Sequence, residues 1–129
     1  MSSVERMKRS VELTKRTEKR WGPKRYWRCM YCGRMGSVVD HIIPSKMHGS
    51  DEVENLIPAC TDCNAHKTDH DPEAWMRAVG VPESRIQRIM AVLKRPEWVA
   101  PKDLQVTRVT LDYHAGAAIW RASDPERAV

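Results

Sequence analysis

Residues 40–67 read DHIIPSKMHGSDEVENLIPACTDCNAHK, and the order of residue types in this stretch decides the fold class. A β-branched run from Val38 to Ile43 stops at Pro44, which predicts a short strand. Ser45 to Glu54 is polar around a central Gly49 and predicts the loop of a hairpin. Leu56-Ile57 opens a second strand that Pro58 would end, and Cys60 and Cys63 then lead into a helix carrying Asn64 and Lys67. Strand, loop, strand and helix follow within one short segment, so the expectation is a small α+β unit.

Four cysteines frame that unit as two C-x-x-C pairs, Cys29/Cys32 and Cys60/Cys63. Paired in this way, without an apolar leader, they read as a structural Zn²⁺ site rather than as disulfides. A site made of four cysteines is closed and leaves no coordination position for chemistry. The 27 residues between Cys32 and Cys60 exceed the roughly 15–20 of a plain zinc ribbon. The excess fits a hairpin inserted between the pairs, and Gly33 supplies the left-handed turn after the first pair.

At 129 residues, 41% hydrophobic and 30% charged, the chain has room for one domain with a small core, which the metal would staple. Charge is unevenly spread. Residues 1–28 hold ten basic and three acidic residues, a net +7 against +5 for the whole chain, so the remainder carries −2. A concentrated cationic arm is the footprint of a polyanion partner, with a solvated tail as the plainer alternative. No apolar run approaches the ~20 residues of a membrane span, and a cytoplasmic protein is expected.

In the arm, Val4, Met7 and Val11 suggest a weak amphipathic helix without a strong cap, with Leu13 off the stripe. Trp21-Gly22-Pro23 breaks it. Tyr26 and Trp27, between Arg25 and Arg28, wedge the arm against the first cysteine pair, or stack on bases. Beyond the hairpin, Asp71-Pro72 starts a helix that ends at Gly80. A second follows Pro82, with Ile86, Ile89, Met90 and Leu93 on its core face and Pro96 beyond its end. Residues 104–113 alternate loosely and predict a bulged strand, and the tail after Ser123 is expected to fray.

The chemistry lies in the hairpin. Hydrolysing a phosphodiester needs an activated water and a cation to offset developing charge. His41 suits the base role, its type having a reference pKa near 6.5. Asp40 and Asn64 offer hard oxygen ligands, which favour Mg²⁺ or Mn²⁺. Neighbours on a strand point to opposite faces, so a kink ahead of Pro44 would let Asp40 and His41 reach one phosphate. His66 lies about 200° round a helix from Asn64 and cannot share its ion. His48 reads as a solvated loop residue, and His70 and His114 as structural.

This stretch resembles the core of HNH-family nucleases. The resemblance covers about Cys29 to Lys67 and implies a ββα-metal fold stapled by a four-cysteine zinc site, with flanking helices. It implies Asp40 and Asn64 as ligands of the catalytic Mg²⁺ or Mn²⁺, and His41 as general base. Asn55 would hold the loop and orient that base. Gly49, Leu56 and Lys67 fit the family pattern, whereas His48-Gly49 stands where many members have a glycine pair. Arg25, Arg28, Arg34, Lys46 and Lys67 are the expected contacts to double-stranded DNA.

The organisation expected is a basic arm (1–28), a nuclease core (29–70) and an extension packed on it (71–129). Similarity to small free-standing bacteriophage nucleases adds a terminase or other DNA-processing subunit as an expected partner, alongside restriction and mobile-element nucleases. The alternative is a non-catalytic zinc module that binds nucleic acid or protein.

Overall fold

Two strands, β1 (Val38–His41) and β2 (Leu56–Ala59), pair antiparallel, with Val38 opposite Ala59 and His41 opposite Leu56. The computed structural model describes residues 1–117. β2 runs through Pro58, which sits opposite Val39 instead of ending the strand. A two-stranded sheet leaves each strand an outer edge, where proline is tolerated. Helix α2 (Thr61–Lys67) follows, started by Cys60, whose sulfur accepts from the Cys63 N–H at 3.3 Å. The ββα order is therefore as the sequence indicates.

The arm forms a 19-residue helix, α1 (Ser3–Trp21), laid across the hairpin. It does have a cap, since Ser2 Oγ accepts from the Glu5 N–H at 3.1 Å. Its buried residues are Leu13, Thr17 and Arg20, while Val4, Met7 and Val11 face solvent. The apolar stripe of the amphipathic helix is thus exposed, and Leu13, which lies off it, is buried. Thr17 closes its own hydrogen bond to the Leu13 carbonyl, so a polar side chain sits in the interface without an open donor. Arg20 is 1% exposed and donates to the Trp98 and Arg95 carbonyls, with its guanidinium over the Trp98 ring. Counted by sequence as part of the cationic arm, Arg20 instead ties the 95–98 segment to α1.

Helices α3 (Pro72–Val79) and α4 (Glu83–Val92) complete the core. Asp71 caps α3 by accepting from the Ala74 N–H at 2.9 Å, and Gly80 ends it in the left-handed region. Trp75, Met76, Val79, Ile86, Ile89 and Val92 pack with Tyr31, Ile42 and Ile57 into one buried cluster. Met90 and Leu93 only flank it. The expected strand at 104–113 does not form. That segment runs irregularly, held by Val109 N–H to Cys32 O and Asp112 N–H to Val79 O, and residues 113–117 are helical. Loose alternation of apolar residues here reflects anchoring points rather than a ladder. The tail after Ser123 lies outside the described residues.

Candidate active site

The two cysteine pairs converge. All four sulfurs lie within 4.8 Å of one another on buried residues, and Cys32 Sγ and Cys60 Sγ stand 3.7 Å apart. Metal–sulfur bonds of about 2.3 Å in a tetrahedron give sulfur–sulfur edges of about 3.8 Å. The set therefore fits a tetrahedral metal ion of the zinc type. Gly33, at φ 80°, turns the chain after the first pair, and a Cβ there would meet the Thr107 carbonyl at 2.5 Å. Cys29 is drawn down to about 5 by the hydrogen bond from Cys63, whose own thiol the same bond pushes up. Cys60 is raised by burial. Four sulfurs this close cannot all be thiolates without a cation among them. Arg34 lies over the set, donating to Cys32 and Cys60 sulfurs at 3.3 and 3.5 Å and to the Tyr113 hydroxyl at 2.9 Å.

An open cleft of about 460 Å³ is lined by Asp40, His41, Lys46, Asn64, Thr68 and Asp69, with Pro44 and Ser45. Asp40 is buried. Its Oδ2 accepts from the Tyr31 hydroxyl and faces Lys67 Nζ at 3.3 Å, while Oδ1 takes no hydrogen bond from a described residue. Burial pushes its carboxyl up, against the pull of the Lys67 ammonium and the Tyr31 hydroxyl. Asn64, on the first turns of α2, is exposed, and its side chain makes no hydrogen bond among the described residues. Asp40 and Asn64 thus line a common space, and a carboxylate with an amide oxygen is a donor set suited to a hard divalent cation. Thr68, just past α2, holds φ 45°, an unusual conformation for a β-branched residue.

His41 ends β1 in regular register opposite Leu56, so no kink brings it to the cleft. The cleft instead wraps the strand end. Lys67 Nζ donates to the His41 carbonyl at 2.7 Å, and the ring's Nε2 meets Asp51 Oδ1 at 2.8 Å. Asn55 does not touch that ring. Its amide accepts from the Ile43 N–H at 2.8 Å and donates to the Ile43 and Ser50 carbonyls at 3.0 and 2.8 Å, clamping both ends of the loop. Asn55 therefore fixes the loop that presents Asp51 to His41. Gly49 makes the clamp possible, because a Cβ there would stand 1.7 Å from the Ile43 carbonyl oxygen.

Residues 29–70 match the family model described as HNH endonuclease. The chain carries an HNH endonuclease domain. No curated protein and no solved structure matches the chain. The matched segment holds both the four sulfurs and the cleft, so the HNH domain contains the metal-type cysteine cluster and the cleft residues together.

The expected nucleic-acid contacts divide around this domain. Lys46 is exposed at the cleft rim, paired with Asp69 at 3.3 Å, and Arg25 and Arg28 are exposed beyond the end of α1. Arg34 is engaged with sulfurs, Asp62 and Tyr113. Lys67 corrects the expectation: at 1% exposure it is an internal counter-ion to Asp40 and out of reach of a phosphate. His66 stacks on Tyr113 with centroids 4.1 Å apart, away from the cleft. Sequence reasoning missed Tyr31, whose hydroxyl bonds Asp40, and Asp51, whose carboxylate bonds His41. An aromatic hydroxyl within the first C-x-x-C and an acid two residues after the loop glycine Gly49 were the available signals.

Proposed function

We propose that the protein is a metal-dependent endonuclease that hydrolyses phosphodiester bonds of double-stranded DNA. The observation that carries this reading is one cleft holding Asp40, His41 and Asn64 within the HNH domain. Asp40 and Asn64 would hold Mg²⁺ or Mn²⁺, and the four cysteines Zn²⁺. The catalytic cation, when bound, offsets the charge that develops on the phosphorane and the leaving 3′-oxygen. His41 takes a proton from water, the water oxygen attacks phosphorus in line, and the P–O3′ bond breaks. The products are 5′-phosphate and 3′-hydroxyl ends.

Lys46 at the rim and the exposed cations of α1, among them Arg6, Lys8 and Lys15, supply the electrostatic attraction to the duplex. End analysis after incubating supercoiled plasmid with Mg²⁺ tests the reading. Nicks that a ligase reseals without prior phosphorylation are expected; intact plasmid, or nicks with 3′-phosphates, would contradict it.

A second reading places the same nuclease within a larger DNA-processing assembly of phage packaging, a terminase being the partner. The uncovered stripe Val4, Met7 and Val11 favours it, since a lone chain gains nothing from exposing three apolar side chains in a row. Nicking that appears only on adding the partner would support this reading, and full activity of the chain alone would remove its basis.

A further inference from the structure

The chain places a carboxylate on the imidazole at the strand end, holds that carboxylate with one arginine, and ties its backbone and that of its neighbour at two further points. Asp51 Oδ1 meets His41 Nε2 at 2.8 Å. Arg9 of α1 donates one nitrogen to both Asp51 carboxylate oxygens, at 3.0 and 3.2 Å. Arg16, further along the same helix, donates to the Asp51 backbone carbonyl at 2.7 Å. Asn55 holds the neighbouring Ser50 carbonyl at 2.8 Å. The loop residue is therefore tied to the helix on one side and to the hairpin on the other.

The hydrogen bond dictates the ring's state. An ionised carboxylate only accepts, so Nε2 must carry the hydrogen. In the neutral ring the lone pair then resides on Nδ1. No described residue bonds Nδ1, and His41 lines both the cleft shared with Asp40 and Asn64 and a second cleft beside Arg9 of α1. Hydrogen bonding to His41 comes first, and Arg9 adds to it, in holding the Asp51 carboxyl below the usual carboxylate range.

From this arrangement we infer that Asp51 is a positioning residue for the base: it sets the Nε2–H tautomer of His41, aims Nδ1 at the attacking water, and makes α1 part of the catalytic apparatus through Arg9. The inference rests on the nuclease reading, and goes beyond it by assigning a role to residues outside the Asp40, His41, Asn55 and Asn64 set. α1 is then more than an electrostatic arm. Its Arg9 shares the carboxylate with the ring, so the helix and the base are joined by one acid.

The test uses the full chain with its zinc retained. Long-range ¹H–¹⁵N correlation of the His41 ring at pH 8 reads the tautomer directly. The wild type is expected to show a single Nε2–H form, and Asp51→Ala a mixture of both. In Mg²⁺-dependent plasmid nicking, Asp51→Ala should lose about 10²-fold in kcat, the effect of misplacing a reacting group by about an ångström, with KM for DNA unchanged. An Nδ1–H tautomer in the wild type overturns the inference whether or not the variant folds. So does unaltered ring signal, or wild-type nicking, in Asp51→Ala. A wild type with the Nε2–H ring and no nicking under any added divalent cation would overturn the nuclease reading itself, and with it the catalytic sense of the pair.

Discussion

Lys67 and Asp40 meet inside the protein, and their pairing makes a buried carboxylate usable. Removing one member of a buried pair leaves the other uncompensated, at a cost of about 3–5 kcal/mol. Lys67→Met should therefore lower stability in urea by about that amount, whereas a surface lysine in contact with phosphate would leave the midpoint unmoved. Asn64 predicts the opposite pattern. Its side chain is exposed and unbonded among the described residues, so Asn64→Ala should keep the midpoint and weaken Mn²⁺ binding, read by electron paramagnetic titration; unchanged Mn²⁺ affinity would exclude it as a ligand. Both residues were visible in the sequence as a helix pair three apart. The two lie on neighbouring positions of one helix face, and their different fates depend on what covers each. Lys67 is held against the His41 carbonyl and Asp40, whereas Asn64, one turn earlier, is uncovered.

The HNH domain is made of short elements. Two strands of four residues and a helix of seven cannot stand alone, because isolated hairpins and short helices are marginal in water. The four sulfurs join the turn after residue 29 to the start of α2, so metal removal should undo the hairpin's anchorage. Exhaustive chelation of the folded protein should abolish the cooperative thermal transition monitored by circular dichroism, and added Zn²⁺ should restore it. An unchanged transition after verified metal loss would assign the fold to α1, α3 and α4 instead. The strands, the helices after Asp71 and the cysteine staple were legible because each has a local signature: β-branched runs, Pro and Gly punctuation, and C-x-x-C spacing. The run of β2 through Pro58 and the irregular path of 104–112 were not, since both are decided by partners far away in sequence, Val39 in the first case and Cys32 and Val79 in the second.

Across the whole molecule, α1 is the element the sequence describes least well. Composition marks it as cationic, which holds, but its charges serve two purposes that composition cannot separate. Lys8 and Lys15 are exposed, whereas Arg20 is enclosed beneath Trp98. Replacing Lys8 and Lys15 together by Ala should weaken duplex binding and reduce its log–log salt slope by about 2 if each meets a phosphate. Arg20→Ala should leave the slope alone and cost about 1–3 kcal/mol of stability through the carbonyls it abandons at Arg95 and Trp98. A slope altered by Arg20→Ala and untouched by the lysine pair would reverse this assignment. The burial of Leu13 rather than the Val4, Met7 and Val11 stripe had the same origin: the face of α1 that packs is chosen by the hairpin beneath it. The central claim is that His41 is the base of a metal-dependent nuclease. Its most direct test is the nicking rate of supercoiled plasmid in Mg²⁺ by wild type and by zinc-retaining, folded His41→Ala, each with an EDTA control. Metal-dependent nicking by the wild type is expected, with a loss of about 10²–10⁴-fold in the variant. Equal rates for the two proteins would contradict it.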